Sequence, residues 1–309
     1  MRYLMVETEL GHLAEEWSAK INTQAFMNLF SARIKDPKIK FPRSLELHFR
    51  NNNKMLKLIK EYDRLASDAE AKELKKQEQR LKDAEAKLKK KASKTAALEK
   101  TRAETKVKKL RYKLARRKSD EFTSYDFRLY PFFFGPFLCM EGGERSIRPS
   151  RFHCRPAGQK PDFDKKAYSL YKARIESLQP EYFDRINHHS GKESLWRGLF
   201  GKSHGVIPVK AFYENVKTGP QGFEIGESKW EPVACLFDLW KQGKATLHSF
   251  AVITGDANSA VLKGGYDRSP VGVAVGKLNE WLLPEGETDE NLLKLLRAGA
   301  KGIAFKVAA

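Results

Sequence analysis

Cysteine is scarce in this chain: Cys139, Cys154 and Cys235 are the only three among 309 residues. Their odd number, the lack of any C-x-x-C pair and the absence of histidines in zinc register argue against a disulfide framework or a structural zinc site. They fit a reducing compartment instead. Long apolar runs are missing too. The longest, Leu129 to Met140, is too short to span a bilayer and is broken by Pro131, Gly135 and Pro136. Glu7 and Glu9 interrupt the beginning of the chain, so a secretory signal is not expected there. No phosphate-cradling glycine loop and no Ser/His/Asp order occurs, and Gly264-Gly265 has the spacing of a turn rather than of a dinucleotide fingerprint. The expectation is a cytoplasmic protein, nucleoid-associated if the host is bacterial, with no cofactor, no metal and no membrane partner.

Negative charge is in short supply. Against 58 Lys/Arg stand 39 Asp/Glu, a net charge of +19. A balance this basic suits a polyanionic partner, of which nucleic acid is the commonest. The excess is concentrated in one place: residues 71–118 hold 20 Lys/Arg and 6 Asp/Glu, an excess of 14.

That basic stretch also lacks proline and glycine from Met55 to Lys118, and Ala, Lys, Glu, Leu, Gln and Arg dominate it. These residues lose little freedom in a helix. Leu74, Leu81 and Leu88 repeat every seven positions, and Ala103, Val107, Leu110 and Leu114 follow a 4-3-4 spacing, which makes a thin coiled-coil seam. Ser93 and Thr95 mark a turn near residues 91–97. The pattern predicts an antiparallel helical hairpin; a single long solvated helix is the alternative.

On either side the character differs. Tyr3 to Val6 has the composition of a strand, and Leu13, Trp17, Ile21, Phe26, Leu29 and Phe30 recur at helical spacing before Pro37 and Pro42. After Ser119, short aromatic and β-branched runs are broken by Gly and Pro. Strands are predicted over Phe127–Met140, Ile147–Cys154, Gly205–Tyr213, Val233–Trp240, Ser249–Thr254 and Val271–Val275. Helices are predicted over Tyr168–Ser177, Leu278–Leu283 and Asn291–Ala298. The fold class is therefore α+β: a strand-rich domain formed by residues 1–53 and 119–309, with the basic hairpin of residues 54–118 inserted in it.

Three stretches carry the functional signal: Tyr171-Lys172-Ala173-Arg174-Ile175-Glu176-Ser177, Ala211-Phe212-Tyr213-Glu214-Asn215-Val216 and Gly265-Tyr266-Asp267-Arg268-Ser269-Pro270. In order and spacing they resemble the SRAP family (SOS-response-associated peptidases), whose pattern is roughly N-A-R-x-E-S/T, F-Y-E and H-D-R-x-P after an N-terminal methionine and cysteine. Arg148-Pro149-Ser150-Arg151-Phe152 resembles a further strand of that family, preceded in longer bacterial members by a helical insertion. The resemblance implies an SRAP-like domain that binds single-stranded, junction or abasic-site DNA in a DNA-damage context. In the family the cysteine's α-amine forms a Schiff base with the abasic aldehyde and its thiol closes a stable ring.

Carried over residue by residue, the resemblance separates two sets. Glu214 falls on the family's proton-carrying glutamate, and Arg174 and Arg268 on its phosphate-binding arginines, beside Asp267. Arg2 stands in place of the cysteine, Lys172 in place of an asparagine and Tyr266 in place of a histidine. With the thiol gone the ring product is excluded, and a phenol cannot exchange protons near neutrality as imidazole does. A large second residue also leaves Met1 in place. Read this way, Glu214, Lys172 and Tyr266 form a degenerate site in a DNA-binding pseudoenzyme. The alternative is an active abasic-site crosslinker or lyase using the Met1 amine or Lys172. Another is a phage or mobile-element scaffold or decoy, acting through a protein partner or self-association at residues 54–118. Arg174 and Arg268 can equally be structural ion pairs with Glu176 or Asp267. Trp196, Phe212 and Tyr213 are candidate stacking surfaces for bases, or simply core.

Overall fold

The computed structural model describes residues 1–166, 170–179, 195–217, 219–226 and 229–308. In chain order its strands are β1 (Tyr3–Val6), β2 (Lys20–Ile21), β3 (Arg128–Leu129), β4 (Phe134–Glu141), β5 (Glu144–Phe152), β6 (Lys172–Arg174), β7 (His204–Val216), β8 (Gly219–Ile225), β9 (Glu231–Gln242), β10 (Ala245–Asp256), β11 (Arg268–Pro270) and β12 (Phe305–Val307). Two compact units form. One comprises Met1–Leu29, Ile39–His48 and Ser124–Ala309; the other comprises Phe30–Lys38 and Phe49–Thr123.

In the first unit the sheet closes on itself. Strand β4 pairs with β5 through a tight turn at Gly142 and Gly143, which have φ of 59° and 84°. Such left-handed positions favour glycine, and they match the twist of a hairpin. Strand β5 then runs parallel to β10, β10 antiparallel to β9, β9 antiparallel to β7, and β7 returns to β4. Closure leaves these five strands without a free edge along the ring. Strand β10 also pairs with β6 and β11. It is buried over His248–Gly255 without alternation, as expected of a strand covered on both faces.

Phe137, Phe152 and Phe250 stack inside the ring, with centroid separations of 4.9 and 5.4 Å. Among the described residues three histidines are buried, His153, His204 and His248, and the last two bear on stability. His248 Nδ1 meets Ser150 Oγ at 2.8 Å. His204 accepts the Gly201 N–H on Nε2 at 2.9 Å and donates from Nδ1 to the Trp281 carbonyl at 2.8 Å. Burial pushes His204 down to about 4 and His248 to about 3. Both stay neutral in the folded chain but charge near pH 6.5 once unfolded. Their contribution is complete above about pH 6.5 and is lost as pH falls through 4 and 3. Two extra protons on the unfolded chain give a slope of about 2.7 kcal/mol per pH unit near pH 5. Urea unfolding at pH 7, 6, 5 and 4.5 should show this loss; a midpoint flat over that range would contradict the neutral pair.

In the second unit the hairpin forms as the sequence predicts. Its arms are the helices α1 (Asn53–Lys90) and α2 (Lys94–Lys118). Asn52 caps α1 by accepting the N–H groups of Lys54 and Met55, and Ser93 caps α2 by accepting from Ala96. The deepest seam residues are Gln77 and Ala84 on α1 and Ala96, Ala103, Val107 and Leu110 on α2. Leu74, Leu81 and Leu88 are half-buried beside them. Ion pairs fix the antiparallel register: Arg117 with Asp63 and Glu70, Lys106 with Glu73, Arg111 with Glu78 and Arg80 with Glu99.

Two expectations are corrected. The stretch expected as a helix over Tyr168–Ser177 is instead β6 followed by a 3-10 turn at Ile175–Leu178, because β10 supplies a parallel partner to Lys172, Ala173 and Arg174. Its residues 168 and 169 lie outside the described residues. Val271–Val275 is not a strand either: Gly272 makes only an isolated bridge to Val233, and Val275 begins a 3-10 turn. Here the backbone of Gly272 packs against helix α3 (Asp289–Gly302), where a Cβ on Gly299 would lie 1.9 Å from the Gly272 carbonyl oxygen. Among the described residues no helix is long and apolar enough to cross a membrane.

Candidate functional site

Strand register brings the first residue to the second motif. Tyr3 lies opposite Tyr213 and Leu4 opposite Phe212, and the Arg2 N–H donates to the Tyr213 carbonyl at 2.6 Å. One step further along, the α-amine of Met1 makes an ion pair with Glu214 Oε2. Glu214 Oε1 accepts the Asn215 N–H at 2.9 Å, so both carboxylate oxygens are engaged. Met1 and Glu214 are buried, whereas the Arg2 side chain is exposed. The Tyr3 and Tyr213 rings stack with centroids 4.4 Å apart.

Strands β6 and β11 flank β10 and carry the other two motifs. Lys172 and Arg174 share one face of β6, two residues apart, while Ala173 between them faces the core. Lys172 is half-buried and its Nζ donates to the Tyr266 hydroxyl at 3.4 Å. Tyr266 follows Gly265, whose φ of 88° turns the chain toward β11. The Met1 amine, Glu214, Lys172 and Tyr266 thus form one linked group.

The electrostatics of the group centre on two amines. Burial, then the Lys172 charge and its hydrogen bond, push the Met1 α-amine from 8.0 down to about 4. Glu214, in contact with it, acts in the opposite sense by favouring the charged amine. Burial lowers Lys172 as well; its hydrogen bond to the α-amine and the charge of Asp267 oppose that, while Arg174 and Arg268 add to it. Tyr266 is raised, first by burial and then by Asp267, so its phenol stays protonated and can only donate or accept a hydrogen bond near neutrality. A desolvated primary amine beside a carboxylate has the parts needed for carbonyl addition.

The two arginines differ. Arg174 is exposed, on the same strand face as Lys172. Arg268 grips Glu176 with Nη1 at 2.5 Å and Nη2 at 2.7 Å, and also bonds Asp256 at 3.2 Å and the Thr254 carbonyl at 2.8 Å. That bidentate pairing ties the first motif to the third. Its partner is Glu176, with Asp256 added; Asp267 bonds through its carbonyl to the Ala257 N–H. Trp196 and Phe212 are buried in the core, and Tyr213 is half-buried under Tyr3. No motif pointed to Asp256, which β10–β11 pairing brings to Arg268, or to the Asn215 N–H, a backbone group next to Glu214 that residue type does not mark. Among the described residues no three His, Cys, Asp or Glu gather where they could hold a metal ion.

Residues 64–308 match the family described as SOS response associated peptidase (SRAP). The chain belongs to the SRAP family. Membership places it in the context of the DNA-damage response, in a family that acts on DNA. Two crystal structures are similar to this SRAP chain. One is a protein from Bordetella bronchiseptica, 19% identical, with a TM-score of 0.45, covering 62% of this chain and 90% of that one. The other is a protein from Bacteroides thetaiotaomicron, 14% identical, with a TM-score of 0.45, covering 59% of this chain and 78% of that one. Among curated proteins, no relative matches the chain.

Proposed function

We propose that this SRAP protein binds DNA containing an abasic site, in a single strand or at a junction, and captures the sugar aldehyde through the Met1 α-amine as an imine. The observation that carries this reading is the buried contact between that amine and Glu214. The neutral α-amine adds to the aldehyde carbon, and Glu214 takes up the proton that the nitrogen sheds as the carbinolamine forms. The same carboxyl group returns the proton to the departing hydroxyl, so one water leaves and the C=N bond forms. Arg2 stands where the family has a cysteine, so no thiol is present to close a ring, and the linkage remains a reversible imine. Arg174 contributes a phosphate contact from the exposed face of β6. Arg268, held by Glu176, keeps β6 and β11 in place around the amine.

Borohydride tests this, because its hydride converts the imine carbon to a stable secondary amine. Full-length protein incubated with an abasic oligonucleotide and borohydride should give an adduct that mass mapping places on Met1, lost when extra N-terminal residues block the amine. No adduct overturns capture. An adduct that survives the block but is lost in Lys172→Ala moves the nucleophile to Lys172 and overturns the Met1 assignment.

A further inference from the structure

The hairpin's charge is unevenly compensated along its length. From Glu61 to Glu104 every acidic side chain has a partner within the unit. Glu61 and Asp68 hold Arg64, Asp63 and Glu70 hold Arg117, and Glu85 and Glu104 share Lys100. Glu73, Glu78 and Glu99 are taken by cross-arm pairs, and Asp83 accepts from Gln79. Between Glu85 and Glu99 there is no acidic residue at all. That interval is the tip, and it presents Lys87, Lys89, Lys90, Lys91 and Lys94, all exposed and without an ion pair among the described residues. Cations in the last turn of α1 complement its dipole, but that accounts for only about 0.3–1 kcal/mol per charge and does not require five of them.

We propose that this lysine tip is a sequence-blind grip for the phosphate backbone of duplex DNA, separate from the site at Met1. Three features point to phosphates. Within that interval Leu88 is half-buried toward the seam and Leu98 is the one exposed large apolar side chain, so the tip has no aromatic anchor and a single aliphatic one against five lysines, unlike the anchor clusters that dominate protein–protein contacts. Ammonium groups on flexible stems make point-charge contacts with no demand for a particular base or peptide geometry. A duplex carries one charge per roughly 1.7 Å of axis and releases more counterion per contact than a single strand, so a compact polycation gains most there. Two helices side by side, each about 10–12 Å across, span about six base pairs, which offers enough phosphates for five lysines.

The test is the salt dependence of binding to a random-sequence duplex, followed by fluorescence anisotropy with the full chain. Changing Lys87, Lys89, Lys90, Lys91 and Lys94 to Gln should lower the slope of log K against log salt by about 4.5, since each phosphate contact contributes about 0.9. At moderate salt the affinity should drop by at least about 10²-fold. None of the five lies in the seam, so helicity and melting should match the parent. A matched variant with Lys72, Lys75, Lys82, Lys108 and Lys113 changed to Gln removes the same charge from exposed positions elsewhere on the arms. It should leave most of the slope intact. An equal loss in both variants overturns the tip as a site, as does an unchanged slope, an absence of duplex binding, or an effect confined to single strands. The borohydride adduct reads the Met1 site separately, so either proposal can fail without the other.

Discussion

Glu214→Gln is expected to slow formation of the borohydride-trapped adduct by about 10²–10⁴-fold, the usual range for a positioned proton carrier. The amide keeps an acceptor for the Asn215 N–H but can neither hold the α-amine's proton nor return it to the leaving hydroxyl. The pH profile separates this role from simple packing. In the parent protein the α-amine, held down to about 4, is neutral across the neutral range, so the acid limb of the rate should lie well below the 8.0 of an ordinary α-amine. Lys172→Met removes a like charge. The protonated amine is then less disfavoured, its pKa rises and the limb moves to higher pH. Glu214 pulls the same way, while Asp267, Arg174 and Arg268 act on the amine through Lys172 and remain in place. The variant should therefore lose rate at pH 5–6 and recover it at pH 8. A loss uniform over pH would mean that Lys172 only packs, and a parent limb near 8 would sink the desolvated-amine mechanism.

Gly299→Ala is expected to cost about 3 kcal/mol or more, the upper part of the range for overpacking. The added methyl would sit 1.9 Å from the Gly272 carbonyl oxygen and 2.9 Å from its carbon, both backbone atoms of a segment bridged to Val233. Helix α3 must then lift away from Gly272, and Ile303 with it, because Ile303 already lies 2.7 Å from where a Gly272 Cβ would be. At roughly 2–4 °C per kcal/mol for a domain of this size, melting should fall by about 6–12 °C. Gly302→Ala in the same helix meets nothing within 4 Å and should be neutral or slightly stabilising. Equal melting temperatures for the two variants would show that the close approach of the helix to Gly272 does not contribute to stability.

The two helices and the turn between them were legible in the sequence, but the depth of the α1 seam was not: Gln77 and Ala84 lie deeper than the expected Leu74, Leu81 and Leu88. Helix propensity and seven-residue spacing are local, and the only non-local requirement was that Ser93 turn one arm back on the other. Strands β7, β9 and β10 were legible as apolar runs for the same reason. The stretch around Lys172–Arg174 was not: short and mixed in composition, it gave a helical signal that pairing with β10 overrode. The ring closure that joins β5 to β10 and β7 to β4 left no local mark, since each contact joins residues far apart in the chain.

For the site, the sequence by itself determined the chemistry on offer: a carboxylate at 214, amines at Lys172 and the first residue, a phenol at 266, two arginines and no cysteine at position 2. Residue type alone fixes those possibilities. Only the tertiary structure decided how they combine. The β1–β7 register placed the Met1 amine on Glu214 in a buried setting, and β10, pairing with both β6 and β11, brought Lys172 to Tyr266 and committed Arg268 to Glu176. Proton affinity and reach depend on neighbours and burial, and those are set by strand pairing across the whole chain rather than by any short stretch of it.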